Sequence, residues 1–75
     1  MALPTYLLEP GVFGPDLLES MTRAFEQACL ILEIPPENEE DRRALARRVI
    51  ALARDGVVDA ADLRDRTVTA LRGHS

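Results

Sequence analysis

Gly14-Pro15-Asp16-Leu17-Leu18-Glu19-Ser20-Met21-Thr22-Arg23-Ala24-Phe25-Glu26-Gln27-Ala28-Cys29-Leu30-Ile31-Leu32 carries apolar residues three and four apart, the spacing that lines one face of a helix. Leu17, Leu18, Met21, Ala24, Phe25, Ala28, Cys29 and Leu32 fall on that face, and Asp16, Glu19, Arg23, Glu26 and Gln27 lie opposite. Pro15 suits the first helical position, where its missing N–H would have had no partner, and Asp16 and Glu19 complement the positive end of the dipole. Glu19 and Arg23 are spaced for a favourable i,i+4 pair. The spacing predicts a helix over 15–32, with Leu30 as the one apolar residue on its polar side.

Downstream, Ile34-Pro35-Pro36-Glu37 cannot continue that helix, because neither proline donates an amide hydrogen and each pushes the preceding residue toward extended geometry. Asn38 is the expected N-cap of a second helix over 39–55, with Glu39, Glu40 and Asp41 in its first turn. Leu45, Ala46, Val49, Ile50, Leu52 and Ala53 form its apolar arc, flanked by Arg43, Arg47 and Arg54. Gly56 is placed to stop it in the left-handed conformation. Asp59 then caps a third helix, with Asp62 as the acid of a capping-box-like pair. That helix turns Ala60, Leu63, Thr67, Ala70 and Leu71 inward and ends at Gly73.

Upstream, Leu3-Pro4-Thr5-Tyr6-Leu7-Leu8-Glu9-Pro10-Gly11-Val12-Phe13 is apolar but broken by Pro4, Pro10 and Gly11. The fold expected is therefore all-α, a three-helix bundle over 15–73 with an extended N-terminal arm over 1–14. Three short helices cover one another incompletely, so the arm is expected to lie across a groove and bury Tyr6, Leu7, Leu8 and Phe13. That groove belongs either to its own chain or to a second copy, since an extended arm is easily exchanged between protomers.

Bulk properties bound the function. Seventy-five residues make one domain at most and bury only a modest core. Cys29 is the one cysteine, so no intramolecular disulfide framework is possible and a reducing compartment fits. The start Met-Ala-Leu-Pro-Thr-Tyr lacks the basic region and long apolar run of a signal peptide, and no later stretch has the ~20 apolar residues of a membrane span. A soluble, cytoplasmic protein is expected. The formal charge of −4, with pI near 4.8, disfavours a binder held to nucleic acid or anionic lipid mainly by counterion release. All nine basic residues are arginine, and this lysine-free, Ala/Arg/Asp-rich composition reads as the codon usage of a GC-rich bacterial genome.

Nothing in the chain assembles catalytic chemistry. A nucleophile needs a base within hydrogen-bond reach and a group that orients the base, but His74 is the lone histidine and sits in the expected tail. Cys29 lies on the edge of an apolar face, far from any helix start that would lower its pKa, and reads as a small hydrophobe. Glu37, Glu39, Glu40 and Asp41 fan outward at a helix start and so do not converge as a calcium or magnesium site must. Asp59 and Asp62 are explained by capping, and Asp65 by solvation. No catalytic residue, metal site or cofactor is expected.

Arg42, Arg43, Arg47, Arg48 and Arg54 form the one basic cluster, and with Gly56 and the third helix they invite comparison with a helix-turn-helix reader of DNA. The register disagrees. With Gly56 as the turn glycine, positions that should be apolar fall on Asp62 and Asp65, which would face phosphate, while Leu63 is out of phase. The arginines are more simply read as pairing with nearby acids and bordering the core with their stems.

Phe13-Gly14-Pro15-Asp16-Leu17-Leu18 followed by Met21, Ala24, Phe25 and Ala28, together with Ala46-Arg47-Arg48-Val49-Ile50-Ala51-Leu52-Ala53-Arg54 and Gly56, resembles a group of short uncharacterised all-helical proteins of alphaproteobacteria. The resemblance spans about Phe13 to Leu71. It implies a bacterial, cytoplasmic, helical protein and carries no activity or site with it.

The expected function is a non-catalytic protein–protein interaction or regulatory module, homodimeric, with Tyr6, Leu7, Leu8, Phe13 and Leu30 as candidate partner-binding residues. Its partner is a protein or a second copy; nucleic acid, membrane and small-molecule substrates are not expected. The alternative is a small DNA-binding transcription regulator using helix two or helix three.

Overall fold

The computed structural model describes Phe13 to Gly73 and is all-α over that range. The three helices are α1 (Pro15–Ile31), α2 (Glu39–Arg54) and α3 (Ala60–Arg72). Each packs against the other two, so the described residues form a three-helix bundle. The arm expected over 1–14 lies outside the described residues as far as Val12.

Met21, Ala24, Phe25, Ala28 and Cys29 of α1 meet Leu45, Ala46, Val49, Ile50 and Ala53 of α2 in one buried cluster. From α3 come Leu63, Thr67 and Val68. Of the inward face expected for α3, Leu63 and Thr67 are buried while Ala60, Ala70 and Leu71 are only half-buried, and Val68, not expected there, is buried. A helix lodged against two neighbours buries a wider arc than a single stripe, and this brings Val68 inside.

Helix ends follow local chemistry. Asn38 accepts from the backbone N–H of Asp41 at 3.3 Å, and its side-chain amide donates to the Asp41 carboxylate at 2.8 Å. Asp59 accepts from the Asp62 N–H at 3.1 Å. At the end of α2, Gly56 stands at φ 98, with Gly56 N–H donating to the Ala53 carbonyl and Val57 N–H to that of Leu52. This paired arrangement closes a helix through one left-handed residue.

The same closure ends α1, ahead of the prolines that the sequence marks as its stop. Glu33 stands at φ 55, its N–H donates to Leu30 and that of Ile34 to Cys29. Pro35 and Pro36 therefore follow a turn already made. From α3, Arg72 donates to the Ile31 carbonyl at 3.5 Å, bringing a cation to a helix end whose last turn has no basic residue of its own.

Candidate functional site

α2 presents a second surface beside its core-facing arc. Ala44, Arg47, Arg48 and Ala51 recur at one and two turns along the exposed side of the helix. Ala70 and Leu71 of α3 face them across an open groove of about 550 Å³. Because the α2 floor is alanine, the surface dips instead of filling. A second hollow of about 340 Å³ adjoins the first through Ala44 and Leu71 and extends it to Leu32, Ile34 and Asp41. The combined surface has a small-residue apolar floor, half-buried leucine and isoleucine at one end, and two arginines along the wall.

Charge around the groove is unbalanced toward positive. Asp41 is engaged by the Asn38 side chain, and Asp65 by Arg64 at 2.8 Å. That contact holds the Asp65 carboxyl below the usual carboxylate range and the Arg64 guanidinium above its ordinary value. Arg64 also reaches Gln27 of α1 at 3.1 Å. Elsewhere Glu19 pairs with Arg23, and Glu39 with Arg43, both at 3.6 Å. Arg47, Arg48 and the neighbouring Arg66 make no ion pair among the described residues. A chain of net charge −4 thus carries a locally cationic, apolar-floored face.

Of the candidate partner-binding residues, Phe13 is half-buried against the core cluster, and Leu30 stands 79% exposed on the outer side of α1. These two do not share the groove. Tyr6, Leu7 and Leu8 lie outside the described residues. Reading the sequence for the largest apolar side chains overlooked the groove, whose floor is alanine. The signal present was Ala44 and Ala51 seven apart, off the main arc of α2.

Cys29 is buried. Burial pushes its thiol above the ordinary range, the Arg42 cation acts against this and the Glu26 carboxylate adds to it. Such a thiol is a poor nucleophile near neutrality. His74 lies outside the described residues. Among the described residues, no group of three or more His, Cys, Asp or Glu could hold a metal ion, and no helix is long and apolar enough to cross a membrane.

No protein-family model matches the chain, and neither the curated proteins nor the solved structures offer a significant match.

Proposed function

We propose that the chain is a non-catalytic protein–protein interaction or regulatory module of the cytoplasm, working through a protein partner or a second copy of itself. The supporting observation is the α2–α3 groove, in which an apolar floor of Ala44, Ala51 and Ala70 is bordered by Arg47 and Arg48, neither of which pairs with an acid among the described residues. Such a surface suits an amphipathic helix or extended segment that brings apolar side chains to the floor and carboxylates to the wall. Affinity capture from the native host tests it, with wild type and the Arg47→Glu/Arg48→Glu variant run in parallel. A protein retained by wild type and lost by the variant is the expected result; identical profiles for the two overturn the reading.

A small DNA-binding regulator is the second reading, and it draws on the same arginines. Exposed Asp62 and Asp65 on α3 weigh against it, since both would approach phosphate.

A further inference from the structure

We infer that the occupant of the α2–α3 groove is an acid-flanked amphipathic α-helix of a partner protein, which packs there as a fourth helix of the bundle. This rests on the interaction reading above and names the chemistry of the partner. The groove walls decide the shape of what they receive. Ala44, Arg47, Arg48 and Ala51 lie inside α2, where main-chain N–H and C=O groups bond along the helix. An extended segment laid on them would give up water at its own N–H and C=O groups and gain no partner from those of α2. The described residues form no strand whose edge such a segment could join, and those lining the groove include no aromatic ring of the kind that holds polyproline segments. A helix arrives with its backbone already bonded, so the same surface costs it nothing.

Floor and charge then set the sequence of that helix. Successive residues stand about 100° apart around α2, so Arg47 and Arg48 fall on either side of the line joining Ala44 and Ala51. That line rises about 10 Å, two turns, and its alanines let a second helix axis approach to about 8 Å. Arg66 lines a further hollow that adjoins the groove through Ala70. None of these three arginines makes an ion pair among the described residues. Asp41 and Asp65, which line the adjoining hollows, are engaged by Asn38 and Arg64.

The complement of this surface is a helix with apolar side chains three and four apart along the alanine line and Asp or Glu on both flanks of that stripe. One further apolar residue at its end meets Leu32, Ile34 and Leu71. A short helix that orders as it binds over a small area holds weakly, as a reversible regulatory contact does.

Selection of a displayed library of random peptides of about 15 residues, four turns of helix, on the full chain tests this. Enriched sequences are expected to carry the helical apolar spacing with acidic flanks, and synthetic copies to gain helical circular dichroism when mixed with the chain. Arg47→Glu/Arg48→Glu is expected to weaken their binding about tenfold or more. Ala44→Gln/Ala51→Gln, which fills the floor without changing charge, is expected to weaken it as well. Both variants should keep the helical spectrum of wild type, because all four positions are exposed. The inference is overturned if no sequence is enriched, if the enriched ones lack helical spacing or carry basic flanks, or if their binding is indifferent to both variants. Sedimentation equilibrium showing wild type self-associated and Arg47→Glu/Arg48→Glu monomeric would make a second copy the occupant and overturn it. So would acrylamide quenching of Tyr6, the one tyrosine of a chain without tryptophan, that is low in wild type and rises in the same variant, since the chain's own arm would then fill the groove. A native partner lost by Arg47→Glu/Arg48→Glu while the selected peptides bind in extended form would remove the helix and leave the broader reading standing; identical capture profiles would remove both.

Discussion

The Arg42 guanidinium carbon of α2 lies 5.0 Å from the centroid of the Phe25 ring of α1, and the same guanidinium donates to Cys29 Sγ at 3.7 Å. One side chain therefore covers an aromatic ring and a buried thiol while keeping contact with water. Arg42→Met keeps much of the apolar cover and removes the charge. It is expected to cost roughly 1 kcal/mol, the scale of a partly desolvated cation–π contact, and to lower Tm by about 4–8 °C for a domain of this size. Thermal denaturation followed by circular dichroism measures the loss. Without the cation, the Cys29 thiol is pushed further up, so its alkylation at fixed pH slows.

The thiol itself makes stability depend on alkaline pH. Burial raises the folded-state pKa of Cys29 above its unfolded value, so the folded state binds the proton more tightly than the unfolded state. This contribution is present in full below the ordinary thiol range and is lost as pH rises through the folded-state pKa. Between about pH 7 and about pH 10, a range spanning the ordinary thiol pKa, wild type is expected to lose more stability than Cys29→Ala. Denaturant midpoints for both proteins across that range decide the matter; parallel curves would contradict it.

Thr67 is fully buried, and its hydroxyl has no hydrogen-bond partner among the described residues. A buried hydroxyl left unpaired costs about 1–3 kcal/mol. Thr67→Val keeps the branched shape and removes the polar atom, so it is expected to stabilise the bundle by roughly 1 kcal/mol. A higher urea midpoint with an unchanged slope is the signature.

Two left-handed residues close α1 and α2, and one of them is not glycine. Glu33 at φ 55 bears a side chain where the backbone disfavours one, at a cost of about 1–2 kcal/mol. Glu33→Gly is expected to recover roughly half of that, because glycine also gains freedom in the unfolded chain. Gly56→Ala should move the other way by about 1 kcal/mol. Nothing lies within 4 Å of a Cβ built at Gly56, so that loss isolates backbone strain from packing. Thermal melts of the two variants are expected to shift in opposite directions.

Salt separates the interaction reading from the DNA alternative. Binding through Arg47, Arg48 and Arg66 to phosphates would weaken steeply as salt rises. Mobility-shift assays with genomic fragments at low salt are expected to show no retarded complex; a salt-sensitive shift lost in Arg47→Glu/Arg48→Glu would establish the alternative.

The amino-acid order by itself determined the three helices and the caps at Asn38, Gly56 and Asp59, because periodicity and capping side chains act over one or two turns, whereas the left-handed Glu33 that closes α1 ahead of Pro35 carries no such local signal. Met21, Phe25, Leu45 and Leu63 were legible as core from spacing alone, and Asn38, Asp59 and Gly56 as caps from their own hydrogen-bonding and conformational chemistry. Tertiary structure decided what depends on which helix stands beside which. It buried Val68 by setting α3 against two neighbours, left the Thr67 hydroxyl without a partner among the described residues, and laid Arg42 over Phe25 and Cys29. It also created the groove, since Ala44 and Ala51 are unremarkable on α2 until Ala70 and Leu71 of α3 rise opposite them. A concavity belongs to two surfaces at once, and pattern along one chain segment carries only half of it.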